Sequence, residues 1–193
     1  MSTTTLSARD RLLAAANELF YEEGVRTVGI DRVIERAGVA KASLYNTFGS
    51  KEELVRAYLA GRHASRQERV MRSLDRFSNP RDRLLGIYDV LAEVFSEPGY
   101  RGCAFHNASA ESAAGSSVEQ VCDSTRAWTR SLFTDLAREA GALDPAGLAT
   151  QLVLLYDGAT TGAQMDRNPA TAATAKAIAA NLLDAAVRSG APR

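Results

Sequence analysis

Between Ile30 and Phe48 the chain carries two apolar stripes of helical period, each about two turns long, separated by Gly38-Val39. Helices this short do not hold alone in water, because the first turn fixes several dihedrals for a single hydrogen bond. They must lean on a longer helix, and the preceding segment supplies one. Ser7 with Asp10 three residues on forms a capping-box-like start, and Leu12, Leu13, Ala16, Leu19 and Phe20 recur at helical spacing. Gly24 is placed to end that run. The pattern predicts helices over about 8–23, 30–37 and 41–48, the second entered through Gly29 and the third closed by Gly49.

The remainder reads as helix too. Ser50-Lys51-Glu52-Glu53 is a Ser-x-x-Glu capping box that opens a long fourth helix running past Arg72. The stretch 62–76 is dense in Arg and reads as a solvated connecting helix. Asn79-Pro80 forms an N-cap and first helical position ahead of Leu84, Leu85, Ile87, Tyr88, Leu91 and Phe95, and Pro98-Gly99 breaks that helix. A short helix is expected within 102–114. Ser116 or Ser117 then caps a longer one with Val118, Val121, Cys122, Thr125, Trp128, Leu132, Phe133 and Leu136 on one side. After a turn over 141–145, helices are expected at about 146–165 and 171–188, parted by Asn168-Pro169. The fold class is therefore all-α, with nine helices and no visible linker or repeat.

Several function classes drop out. No stretch approaches the ~18 apolar residues of a membrane span, so no membrane partner is expected. Met1–Ser7 is a short polar tail without the apolar core of a signal peptide, and the expected location is cytoplasmic. Cys103 and Cys122 have no close-spaced Cys or His, so neither metal nor cofactor is expected and both read as small reduced thiols. No Ser-His-Asp order, glycine-rich phosphate loop or metal-ligand spacing is present. Glu22-Glu23 and Glu52-Glu53 are adjacent and point in different directions, and an enzyme is not expected. Net charge is zero, yet residues 1–83 hold 15 Lys and Arg against 11 Asp and Glu, and the rest of the chain is correspondingly acidic. A mildly basic N-terminal part is compatible with nucleic acid.

Two short helices joined by a glycine turn have the geometry of a helix-turn-helix, whose second helix enters the major groove of DNA. In the second of these, Leu44 and Phe48 face the core. Lys41, Ala42, Ser43, Tyr45, Asn46 and Thr47 are left to face the groove or its walls. Ser43, Asn46 and Thr47 can donate and accept hydrogen bonds, Ala42 can touch a thymine methyl, and Tyr45 can reach a phosphate. Lys51 sits against the dipole of its own helix, which a backbone phosphate nearby would explain, and the Gly29 amide could bind another. Plain helical hairpins share this pattern, so geometry alone leaves both readings open.

The run from Arg9 to Leu59 adds more. It resembles the N-terminal domain of the tetracycline-repressor (TetR) family, whose pattern reads roughly A-G-V-S-x-G-T-L-Y-x-H-F-x-S-K-E-x-L. Ala37, Gly38, Val39, Leu44, Tyr45, Phe48, Ser50, Lys51, Glu52 and Leu54 match it directly, over about a quarter of the chain in all. Ala40 stands where a capping Ser is common, Thr47 where His is frequent, and Gly29 where a Thr caps the second helix. The resemblance implies a three-helix DNA-binding head (1–50) and a larger helical ligand-binding and dimerisation body (51–193), with the helix from about 51 linking them. It implies a double-stranded DNA operator, a small-molecule effector and a homodimer built on the last two helices.

The body's own residues fit that implication. Ala175, Ile178, Ala179, Leu182, Leu183, Ala186 and Val187 make an apolar stripe on the last helix, and Gly158 and Gly162 lie four apart on the preceding one. Packing within the chain would explain them; the resemblance implies a dimer interface through Gly158, Gly162, Ile178, Leu182 and Ala186. Tyr88, Phe95, Phe105, Trp128, Phe133, Tyr156 and Met165 are candidate pocket walls, or else plain core. Cys103, His106, Asn107, Glu111, Gln151 and Asp157 are the polar or reactive groups that would accompany them. The expected effector is small and mostly apolar with one or two polar groups. The leading expectation is a repressor released by that effector from a pseudo-palindromic operator. An activator, and a ligand-sequestering or interaction protein that keeps the fold without reading DNA, stay open here.

Overall fold

The computed structural model describes residues 6–188, and within them all regular structure is helical. The elements are α1 (Ala8–Glu23), α2 (Ile30–Ala37), α3 (Lys41–Phe48), α4 (Lys51–Leu74), α5 (Pro80–Phe95), α6 (Ala104–Glu111), α7 (Ser117–Glu139), α8 (Pro145–Asp166) and α9 (Thr171–Arg188). Of the polar tail expected over Met1–Ser7, only Leu6 and Ser7 fall inside the described residues, and both are exposed.

The helix ends follow from capping chemistry. The Ser7 hydroxyl accepts the Asp10 N–H at 3.1 Å and donates to its carboxylate at 2.6 Å. The Asn79 side chain accepts from the amides of Arg81 and Asp82, with Pro80 occupying a position whose N–H would have no partner anyway. Two expectations need correction. Only half of the capping box at Ser50 forms: the Ser50 hydroxyl accepts the Glu53 N–H at 3.1 Å, but the Glu53 carboxylate turns forward to Arg56 at 2.7 Å. A guanidinium one turn ahead offers a charged partner, where the box offers a neutral amide. Helix α8 also starts one residue early, because Asp144 accepts the Gly147 N–H and Pro145 takes the first helical position.

The chain divides into two compact units, one of residues up to Ala64 with Ala104–Ser124, the other of Ser65–Cys103 with Thr125 onward. Residues 104–124 thus pack in the same compact unit as the N-terminal helices, although the family resemblance counts them with the functional body. In the first unit α1 packs on α2 and α3, with Leu12, Ala16, Val28, Val33, Leu44, Leu54 and Leu59 fully enclosed or nearly so. In the second, α5 and α8 both pack on α9 around Leu84, Tyr88, Phe133, Leu136, Leu152, Ala179 and Leu183. Each Val, Leu or Phe among them contributes about 1.5–3 kcal/mol relative to exposure, and each Ala correspondingly less.

The arginine-rich part of α4 is not simply solvated. Arg62 lays its guanidinium 3.9 Å from the Tyr21 ring centroid and bonds the Asn17 side chain at 2.9 Å. Arg66 donates to the Tyr156 hydroxyl at 2.6 Å. Neither partner is near in sequence, so composition alone could only suggest solvent.

Candidate nucleic-acid interface

The turn between α2 and α3 is fixed from both sides. Gly38 adopts the left-handed conformation (φ 63°, ψ 43°), which lets its amide and that of Val39 close the last turn of α2 on Glu35 and Ile34. Arg11 on α1 donates to the Gly38 carbonyl at 2.9 Å. Sequence reasoning missed this contact, since a polar side chain reaching across 27 positions leaves no periodic trace. Beneath the turn, Val33 and Leu44 are both 0% exposed and anchor α2 and α3 to α1. Phe48 is only half-buried, with the Arg9 guanidinium 5.9 Å from its ring centroid.

With Leu44 pinned inward, Lys41, Ala42, Tyr45, Asn46 and Thr47 are all exposed, and Ser43 is half-buried beside them. The Lys41 ammonium pairs with Asp31 at 2.8 Å, which raises its pKa through a hydrogen bond and then through charge. The Thr47 hydroxyl bonds back to the Ser43 carbonyl at 2.6 Å. The Asn46 side chain makes no hydrogen bond among the described residues, and Tyr45 is 46% exposed. Gly29 and Ala40, the N-caps of α2 and α3, provide no side-chain bond, so the first amides of both helices lack a side-chain cap. Lys51 behaves differently. Its ammonium turns inward to donate to the Arg26 carbonyl at 3.4 Å, and partial burial lowers its pKa.

The candidate pocket residues are divided between the two units. Phe105, His106, Asn107 and Glu111 belong to the first unit, where Phe105 is buried and His106 is exposed; the others belong to the second. There Tyr88, Phe95 and Phe133 are buried core, while Cys103, Trp128 and Tyr156 are half-buried. A ladder of rings runs from Tyr88 to Phe133 (6.2 Å between centroids) to Tyr156 (6.0 Å), and Tyr156 meets Arg66. The Tyr88 hydroxyl donates to the Leu152 carbonyl at 3.1 Å, so its polar end is satisfied inside the core. Asp157 pairs with Arg126. Met165 is 77% exposed and lines no core, and Gln151 borders a shallow groove of about 230 Å³ with Leu143, Leu148 and Ala186. No cluster of His, Cys, Asp or Glu able to hold a metal occurs among the described residues.

Helices α8 and α9 show an outer face as well as an inner one. Ala159, Ala163, Ala175, Ala179 and Leu183 are buried, whereas Leu154 (74%), Met165 and Ile178 (43%) lie open. Gly158 is exposed, and a Cβ built on it would meet nothing within 4 Å. A Cβ on Gly162 would touch only the Thr171 methyl, at 3.4 Å. Leu182 and Ala186 are half-buried. No described helix is long and apolar enough to cross a membrane.

Similarity to known proteins agrees with this geometry. A family model described as bacterial regulatory proteins of the tetR family matches residues 12–58, which span α2, the turn and α3. The structure of a putative TetR transcriptional regulator from Streptomyces avermitilis is 33% identical with a TM-score of 0.83, over 94% of this chain and 98% of that one. Among curated proteins, the transcriptional activator FasR of Mycolicibacterium smegmatis is 30% identical over 135 residues, covering 69% of this chain and 60% of FasR. The transcriptional repressor KstR2 of Mycobacterium tuberculosis is 35% identical over 82 residues, covering 42% of this chain and 41% of KstR2. The match thus spans less than two thirds of either curated relative. Full-length likeness to the Streptomyces avermitilis regulator, and a helix-turn-helix that satisfies the family model, show that the chain belongs to the TetR family of DNA-binding transcriptional regulators.

Proposed function

We propose that the chain is a homodimeric repressor that occupies a pseudo-palindromic operator and leaves it when a small, mostly apolar effector binds. The carrying observation is the outward face of α3. Leu44 is wholly buried, while Lys41, Ala42, Tyr45, Asn46 and Thr47 project from a helix held rigidly by Arg11 and Val33. In this reading residues 1–50 form the DNA-binding domain. Asn46 and Ser43 read base edges, Ala42 and Thr47 line the groove wall, and Tyr45, Lys41 and the α2 amides after Gly29 meet phosphates. Lys51 lies at the same edge, but its ammonium is already engaged with the Arg26 carbonyl.

Residues 51–193 form the body. The open face of α8 and α9, with Gly158, Gly162, Ile178, Leu182 and Ala186, supports a two-fold interface with a second copy, because an exposed mid-helix glycine costs about 1 kcal/mol relative to Ala and nothing within the chain requires it. The ring ladder ending at Arg66 supports an effector with an apolar body and a polar end. Such an effector acts only through its preference for the arrangement unable to bind DNA. Repression is the simpler output, since occupying an operator needs no contact with polymerase. FasR, by name an activator, favours activation as the second reading.

Fluorescence anisotropy across a salt series, with duplexes from the protein's own upstream region and a scrambled control, tests the proposal. Salt-sensitive binding that prefers the native duplex is expected, and absence of binding to any duplex at low salt refutes it. Transcription from the same upstream region, with and without the chain, separates repression from activation.

A further inference from the structure

Glu111 is the last residue of α6, yet its carboxylate serves the turn between α1 and α2. Its Oε2 accepts the Arg26 N–H at 2.7 Å. Gly24 makes room for it: a Cβ there would stand 2.8 Å from Glu111 Oε1, and the residue holds φ +93°, a region that side chains rarely adopt. From the other side Lys51, in the first turn of α4, donates to the Arg26 carbonyl at 3.4 Å, and the charge of Glu111 favours that ammonium against its partial burial. The amide and the carbonyl of one residue are thus held by side chains of opposite charge from two helices. A second tie lies beside it, where Glu52 Oε1 accepts both the amide and the hydroxyl of Ser117 at 2.9 Å each. All these residues belong to one compact unit. The clamped turn leads through fully buried Val28 to Gly29, the N-cap of α2, and so sets where the helix-turn-helix begins.

We propose that Glu111 and Lys51 are positioning residues for DNA reading, clamping the Arg26 residue so that the α1–α2 turn presents α2 and α3 in register, with Lys51 acting through this turn rather than on a phosphate. The inference rests on the DNA-reading proposal above and adds α6 to the parts that serve it. The Glu111 bond, at 2.7 Å, is a short charge-assisted one and among the stronger kind, so its loss is visible locally, while the longer Lys51 bond supports it from the other side.

Amide hydrogen exchange of the full chain, paired with anisotropy on the upstream duplex, tests it. Glu111→Ala is expected to speed exchange at Arg26 by roughly tenfold, leave Leu44 and Val33 unchanged, and weaken DNA binding by roughly tenfold at an unaltered salt slope. Glu111→Gln keeps an acceptor of the same length and is expected to hold Arg26 within about threefold of the parent chain. Lys51→Ala is expected to weaken binding with the slope likewise unaltered. Unchanged exchange at Arg26 in Glu111→Ala, a Gln variant that opens as far as the Ala variant, or a slope reduced by about one charge in Lys51→Ala each overturns the clamp. Should the parent chain bind no duplex, the proposed function fails together with the positioning role, while the exchange result still decides whether the clamp exists.

Discussion

Gly158→Ala should push the chain in two opposite directions, which makes it the sharpest test of the face on α8 and α9. Within one chain the position is exposed, and a Cβ there meets nothing within 4 Å. A methyl should therefore stabilise the folded monomer by about 1 kcal/mol, the helix-propensity difference between Gly and Ala. That corresponds to roughly 2–4 °C in melting temperature for a chain of this size. In a two-fold dimer the methyl enters the contact twice. Overpacking by about 1 kcal/mol per copy, the low end of measured costs, amounts to about 2 kcal/mol, or close to 30-fold in the dimer dissociation constant. Sedimentation equilibrium over a dilution series gives that constant, and thermal melts at high and low protein concentration give the rest. The variant should melt above the parent chain when dilute and level with it when concentrated, where the gain of about 1 kcal/mol in each chain offsets the loss of about 2 kcal/mol at the contact. A variant that dimerises as tightly as the parent and melts higher at every concentration would refute the assignment of Gly158 to the interface.

Other substitutions probe the remaining parts. Lys41→Ala should lower the salt slope of DNA binding by about one, whereas Asn46→Ala should shift base preference at one operator position by about 1–3 kcal/mol, both read by anisotropy. Tyr88→Phe removes the hydroxyl that donates to the Leu152 carbonyl in the core and should cost about 1 kcal/mol in urea denaturation. Asn79→Ala removes the cap from the Arg81 and Asp82 amides and should cost about 1 kcal/mol in the same assay, with no change in DNA affinity.

Much of this was legible from residue order because the fold is built on local rules. Ser7, Gly24, Gly38, Gly49, Asn79 and Pro80 punctuate the chain at positions that match the observed helix ends. The period of 3.6 likewise separated Leu44 from its exposed neighbours on α3. Long-range polar pairs were not legible. Arg26 and Glu111 lie 85 positions apart, and Arg66 and Tyr156 lie 90 apart. Neither pair leaves a periodic signal, since one polar side chain on a helix looks the same whether it faces water or a partner. Aromatic residues posed a related problem. Tyr88, Phe95 and Phe133 have the same spacing whether they line a cavity or fill a core, and they are buried. His106 had no neighbour pattern to show that it would point outward.

The neutral charge of the chain bears on how it can bind DNA. Residues 1–50 hold six basic and six acidic side chains, and much of the positive charge is already committed. Arg32 and Arg36 on α2 bond Glu23 and Glu18 on α1, which fixes the packing of those helices, and Lys41 holds Asp31. Exposed pairs of this kind contribute only about 0–1 kcal/mol. Exchanging Asp31 for a phosphate at Lys41 therefore costs little, whereas Arg32 and Arg36 each grip their carboxylate through more than one hydrogen bond and give it up less readily. Only the cations free to leave a carboxylate can displace counterions, and each adds about 0.9 to the salt slope. A reader built this way should show a shallow slope, with discrimination carried by Asn46, Ser43 and the fit of α3 to its groove rather than by charge. On this reading the rigidity of the turns on either side of α2, held by Arg11 at Gly38 and by Glu111 at Arg26, should matter more to affinity than any single phosphate contact.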